Sequence, residues 1–247
     1  MVNKKIWIIG ASSGIGKSLA IALKSDSNHL ILSGRREDKL QMLKQESLND
    51  SSLYQLDITR REDIETVFNR IIVEQGAIDS VVLMSAQYAP MTVDNLDMVA
   101  CQNIIDTNIM ATFSLLKLIA PYMKSRGRGQ IVLCASVAGY CGLPNAQPYS
   151  ATKAATINLA ESLRLDLRPF GIDVKVICPG FVKSEMTDKN SFSMPMIISS
   201  DEAAQKIVHQ LSKSHIFEIK THGLFTVIMK CLKFMPYWLY FMVLKVR

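Results

Sequence analysis

The stretch PYSATKAA, residues 148–155, places a phenol, Tyr149, four residues before an ammonium, Lys153. Residues four apart on a helix lie about one turn apart on the same face, so the two groups would stand close together. Such a pair can pass protons to and from a substrate oxygen, or it can be two polar side chains on a solvated face. Thirteen residues upstream, Ser136 closes the apolar run QIVLCAS (130–136), where a hydroxyl could hold a carbonyl oxygen. Asn108 lies in DTNIMATF, inside a long helical pattern. Asparagine is a mediocre helix former, so an interior one calls for a reason, a solvated face being the plain alternative. What counts is whether the fold brings these residues to one place.

Apolar, β-rich runs alternate with helical patterns along the chain. KIWIIG (5–10), HLILS (29–33), SLYQLD (52–57), DSVVLMS (79–85), QIVLCAS (130–136) and IDVKVICP (172–179) read as six strands. Helices are expected over 14–24, 37–48, 97–124 and 149–168, and from Thr59, a candidate cap, to Gln75. Ser199-Ser200-Asp201-Glu202 has the form of a capping box and should open a helix to Leu211. Near-continuous apolar strands joined by helical crossovers imply a parallel sheet covered on both faces. The predicted fold is therefore α/β, Rossmann-type and doubly wound. No repeat or linker divides 1–222, which reads as one domain, with 223–247 as an appended tail. In such sheets ligands bind beyond the carboxyl ends of the strands, where strand order reverses.

The polar motifs fall at those ends. After the first strand comes Gly10-Ala11-Ser12-Ser13-Gly14-Ile15-Gly16. Its glycines let the backbone turn tightly and approach a pyrophosphate, whose charge the next helix N-terminus favours. The spacing is G-x-x-x-G-x-G rather than G-x-G-x-x-G. After the second strand, where an NAD site usually carries an acidic residue, stand Ser33-Gly34-Arg35-Arg36. An arginine fork suits a phosphate, so NADP is expected ahead of NAD. Asp57 ends the third strand within reach of an adenine, and Pro179-Gly180 ends the sixth in a loop that could lie along a cofactor.

Taken together these residues resemble the short-chain dehydrogenase/reductase family, over about residues 4–212 in collinear order. The resemblance implies a sheet of about seven parallel strands and a homodimer or homotetramer. It implies a catalytic triad of Ser136, Tyr149 and Lys153, with Asn108 as a fourth member anchoring a proton-relaying water. It further implies that the cofactor is held by Gly10, Ser12, Ser13, Gly14, Ile15 and Gly16, by Arg35 and Arg36, and by Asp57 and Ile58. Ser85, Ala86, Asn108, Tyr149, Lys153, Pro179, Gly180, Val182 and Ser184 would complete that site. Free tyrosine has a pKa near 10, too high for easy proton exchange at neutral pH, and the ammonium of Lys153 is expected to lower it. Tyr149 would then serve as general acid or base and Ser136 would orient the substrate oxygen. Three positions depart from the family pattern: Ile9 replaces a threonine, Leu83-Met84-Ser85-Ala86 replaces N-N-A-G, and Ser184 replaces a threonine.

The expected function is an NAD(P)-dependent oxidoreductase interconverting a carbonyl and a secondary alcohol, with a lipophilic substrate. The apolar segment MPMII (194–198) and the tail suggest that lipophilicity. The alternative, left open by the altered strand-four motif, is a dinucleotide-binding sensor or scaffold with little turnover. The five cysteines form no CxxC and the four histidines lack metal-site spacing, so reduced thiols and no metal are expected. The N-terminal apolar run is too short for a signal peptide, which points to the cytoplasm. Net charge is +6, and residues 213–247 hold six basic residues against one acidic, leaving the body nearly neutral. These basic residues lie among Leu, Phe, Met and Trp, which speaks against nucleic acid. GLFTVIMKCLKFMPYWLYFMVLKVR (223–247) is expected to form two short helices meeting at Pro236. It would either rest on a membrane surface or pack over the substrate pocket or a partner subunit. Its removal is expected to leave the domain folded.

Overall fold

In the computed structural model, which describes residues 3–24 and 27–244, the first strand β1 (Lys5–Ile9) shows how the chain builds two cores at once. Successive strand side chains point to opposite faces. Ile6 and Ile8 enter one apolar layer and Trp7 and Ile9 the other, all four buried. Seven strands form one sheet in the order β3 (Ser52–Gln55), β2 (His29–Gly34), β1, β4 (Ser80–Leu83), β5 (Gly129–Cys134), β6 (Ile172–Cys178), β7 (Glu218–Lys220). Every neighbouring pair is parallel. Ile9 is level with Ser33 of β2 and with Leu83 of β4. The order reverses between β1 and β4, which opens a crevice beyond their carboxyl ends.

Helices α1 (Gly14–Leu23), α2 (Glu37–Ser47) and α7 (Ser200–Leu211) bury Leu19, Leu40 and Ile207 in the layer that receives Ile6 and Ile8. Helices α3 (Arg61–Gln75), α5 (Ala111–Arg126) and α6 (Tyr149–Leu167) bury Phe68, Ile119 and Ala160 in the other. Ser199 caps α7 by accepting the Glu202 N–H at 3.1 Å, as the motif implied.

The structure corrects the predicted elements in several places. A seventh strand, β7, escaped notice because its three residues, EIK, carry too little pattern. The third strand stops at Gln55 rather than Asp57. Thr59 does not cap α3; its hydroxyl and its N–H both donate to Asp57, and the helix starts two residues later. The helix expected over 97–124 is α4 (Met98–Ile105) and α5 separated by a π-turn, Asp106–Met110, centred on Asn108. Such bulges insert one residue into the helical ladder and are frequent at functional sites.

Beyond β7 the tail forms α8 (Gly223–Phe234) and α9 (Tyr237–Val243), separated at Pro236 as the sequence implied. Met229, Leu232 and Tyr240 enter the same core cluster as Trp7 and Ile9. The opposite side leaves Leu224, Phe234, Trp238 and Phe241 exposed. The tail therefore contributes side chains to the core of the domain. Lys245 and Arg247, counted in the tail's charge, lie outside the described residues, as do residues 1 and 2 of the predicted domain.

Candidate active site

Beyond the carboxyl ends of β1, β2, β4, β5 and β6 lies a cleft of about 780 Å³. Every predicted site residue lines it except Asn108. The glycine-rich loop forms its floor. Gly10 has φ +92°, a left-handed conformation that side chains resist. A Cβ there would stand 2.6 Å from the Ser85 nitrogen. A Cβ on Gly16 would run into the Gly10 carbonyl, so α1 starts directly against the turn. Ser13, at the cap position of α1, makes no side-chain cap hydrogen bond among the described residues, and none of the first-turn residues is acidic. The N–H groups of its first turn have no intrahelical acceptor and the dipole there favours an anion. Thr107, from the π-turn, lines the cleft with a buried hydroxyl that has no partner among the described residues. A glycine cradle, an open helix N-terminus and an unpaired hydroxyl in one cleft fit a dinucleotide.

At the β2 end, Arg36 donates to the Ser13 hydroxyl at 2.7 Å and to Glu185 at 2.8 Å. Lys39 donates to the other oxygen of Glu185 at 2.8 Å. Arg35 is exposed, its backbone carbonyl accepting from Gln55. Burial raises the Asp57 carboxyl, but the Thr59 hydrogen bonds and the Arg35 and Arg60 charges outweigh it and leave the group below its usual range.

At the β5 end the proton-active residues converge. Tyr149 begins α6, where the helix dipole presents its positive end. One turn on, Lys153 is buried, and its ammonium donates to the Cys134 carbonyl at 2.7 Å, two residues before Ser136. That ammonium lies 5.5 Å from the centre of the Tyr149 ring. Ser136 accepts the Ala138 N–H at 3.1 Å. Tyr88 packs edge-on against Tyr149, ring centres 4.9 Å apart, and its hydroxyl donates to Asn190 at 2.7 Å.

The electrostatics differ from the sequence expectation. Burial pushes the Tyr149 phenol above its usual value, the Cys134 thiol adds to this, and the Ser136 hydroxyl offsets only part. Burial also pushes the Lys153 ammonium below its usual value, against the pull of Cys134 and Cys178. The lysine is turned to a carbonyl, so desolvation, not its charge, governs the phenol.

Asn108 stands behind the lining. Its amide accepts the Gln87 N–H at 2.8 Å and donates to the Gln87 carbonyl and to Thr152, each at 3.0 Å. Its side chain thus acts as a short strand partner that pins the chain after β4 to α6. The loop after β6 is pinned by His222, the residue before α8. Gly180 N–H donates to His222 Nδ1 at 3.2 Å, so Nε2 carries the proton and donates to the Phe181 carbonyl at 3.0 Å. Ser184 does keep a hydroxyl in the cleft, where it neighbours Thr187. Sequence reasoning missed Lys39, Gln87, Tyr88, Glu185 and His222. Gln87 and Tyr88 directly follow the recognised Ser85-Ala86 pair, which was a usable signal; the others meet the site only through contacts distant in sequence.

Known proteins resemble this chain in sequence and in fold. Residues 4–194 match the family described as short chain dehydrogenase. An uncharacterized oxidoreductase of Myxococcus xanthus is 35% identical over 208 residues, covering 83% of this chain and 82% of that protein. An uncharacterized oxidoreductase of Staphylococcus epidermidis is 30% identical over 217 residues, covering 87% and 94%. The solved structure of ElxO with NADP bound superposes with a TM-score of 0.79 at 24% identity, covering 89% of this chain and 98% of that one. At that identity the likeness is one of fold.

Proposed function

Because the chain belongs to the short-chain dehydrogenase family, we propose that this oxidoreductase interconverts a carbonyl and a secondary alcohol on a lipophilic substrate, with NADP as its cofactor. The observation that carries the proposal is the half-buried Tyr149 phenol, set at the start of α6 with Ser136 and Lys153 on the wall of the same cleft. NADP, when bound, supplies or accepts the hydride. The glycine-rich loop and the first turn of α1 would hold its pyrophosphate, and Arg36 with Lys39 would hold its 2′-phosphate. Ser136 orients the substrate oxygen. Tyr149 delivers a proton to that oxygen during reduction. A phenol kept protonated by burial is ready for that step; oxidation needs the phenolate, which the N-terminus of α6 favours and desolvation opposes. Lys153 ties α6 to the end of β5 and so fixes the phenol relative to Ser136. Asn108 is a positioning residue for the chain after β4.

Lipophilicity is supported by the segment after β6, whose Val182 and Met186 line the cleft. Phe181 and Phe192 meet with ring centres 5.9 Å apart, and Met196 and Ile197 are exposed in the same segment of the chain. A panel of long-chain ketones and aldehydes, followed by NADPH absorbance, tests the proposal. Carbonyl-dependent NADPH oxidation is expected. Tight NADPH binding with no oxidation across the panel would replace the enzyme with the sensor or scaffold.

The exposed face of α8 and α9 suits an anionic membrane surface. Leu224, Phe234, Trp238 and Phe241 are exposed there with Lys233, in a segment whose charge is strongly positive. Sedimentation with vesicles containing anionic lipid should be lost in the double substitution Trp238→Glu, Phe241→Glu. Undiminished sedimentation of that variant would reject this face as the membrane contact, and a change only in oligomer size would reject the membrane in favour of a protein partner.

A further inference from the structure

Glu185 bridges two walls of the cleft. It comes from the loop after β6, 149 residues along the chain from Arg36 and 146 from Lys39. Each of its carboxylate oxygens takes one N–H donor at 2.8 Å, from Arg36 and from Lys39 respectively. The second guanidinium nitrogen of Arg36 is fixed on Ser13, in the glycine-rich loop. Two cations converging on paired oxygens form the arrangement a phosphate would take. These same partners hold the Glu185 carboxyl down at about 2, so it is anionic at any physiological pH.

We infer that Glu185 is a specificity-determining residue, an internal anion that occupies the cationic site for the 2′-phosphate and must yield it when a 2′-phosphorylated dinucleotide binds. Arg36 and Lys39 cannot hold a phosphate and this carboxylate at full strength together, since the two anions repel at that separation. Binding of a 2′-phosphate therefore releases the loop from α2, whereas a dinucleotide with a free 2′-hydroxyl leaves the bridge closed. The bridge weakens the preference for the phosphorylated cofactor and couples its binding to movement of the loop that carries Phe181 and Phe192. The inference rests on the assignment of Arg36 to that phosphate.

Calorimetric binding of adenosine 2′,5′-bisphosphate and of 5′-AMP to the full chain separates the two claims. Glu185 is well exposed, so Glu185→Gln and Glu185→Ala should keep the melting temperature of the parent. Exposed ion pairs are modest, so in both variants the bisphosphate should bind about threefold to tenfold more tightly, while 5′-AMP stays within about twofold. An unchanged or reduced ratio of the two affinities in the variants overturns the role of Glu185. A parent protein that binds the bisphosphate no better than 5′-AMP overturns the phosphate assignment itself.

Discussion

Gly10→Ala probes the cradle on which cofactor binding depends. The new methyl would stand 2.6 Å from the Ser85 nitrogen and 3.0 Å from the Met84 carbonyl carbon, both backbone atoms that cannot rotate away. Reaching ordinary contact at 3.4 Å requires β1 and the chain after β4 to part by about 0.8 Å. The left-handed φ of +92° adds strain for any side chain, about 1–2 kcal/mol, and overpacking adds about 1–3 kcal/mol. Together these destabilise the protein by about 2–5 kcal/mol, or about 5–15 °C in melting temperature for a chain of this size. Loss of a backbone hydrogen bond to the charged pyrophosphate costs about 1.5–3 kcal/mol, so NADPH affinity should fall by about tenfold to a hundredfold. Thermal melting gives the first quantity and quenching of intrinsic fluorescence by NADPH the second. A Gly10→Ala protein that melts within about 2 °C of the parent and binds NADPH within about threefold would refute the close-approach reasoning.

Arg36→Asp should lower catalytic efficiency with NADPH relative to NADH by about ten- to a hundredfold, since a charge-assisted hydrogen bond contributes about 1.5–3 kcal/mol. Arg35→Asp should do less, because Arg35 is exposed and lies beside Asp57; equal shifts from the two variants would contradict this. Burial holds His222 below the 6.5 of a free histidine, against the pull of the Phe181 carbonyl. The unfolded chain therefore takes up its proton first as pH falls, so this stability is full above about 6.5 and is lost as pH drops toward the folded value. His222→Gln should flatten the decline in melting temperature over that interval; an unchanged slope would show that other groups cause it. Burial also keeps the Tyr149 phenol protonated, so the free protein's Tyr149 should show no phenolate absorbance at about pH 10, where free tyrosine is half ionised. Loss of a phenolate signal at that pH on Tyr149→Phe would contradict the desolvation account.

The legible parts of this protein were those where one short segment carries its own physics. Residues 6–9, IWII, are apolar at every position because both faces of the strand are covered. The glycine-rich loop and the Tyr149–Lys153 pair lie at the start of helices, so their spacing already fixes their geometry. What stayed hidden depends on contacts between distant segments. The π-turn at Asn108 exists because its amide bonds the Gln87 backbone, and helical periodicity alone does not encode a partner from another loop. Glu185 reads as one charge in a polar loop until the fold carries it to Arg36. The direction of the Tyr149 shift is hidden for the same reason: proximity to Lys153 is legible in the sequence, but the desolvation of both groups and the turn of the ammonium to Cys134 are not.

The central claim is that the Tyr149 phenol delivers the proton to a substrate oxygen in a cleft that binds NADPH independently of that hydroxyl. Single-turnover reduction of an active carbonyl by NADPH-loaded Tyr149→Phe measures this most directly. The rate should fall about a hundredfold to ten-thousandfold, with NADPH affinity within about threefold of the parent. A rate close to that of the parent protein would contradict the claim.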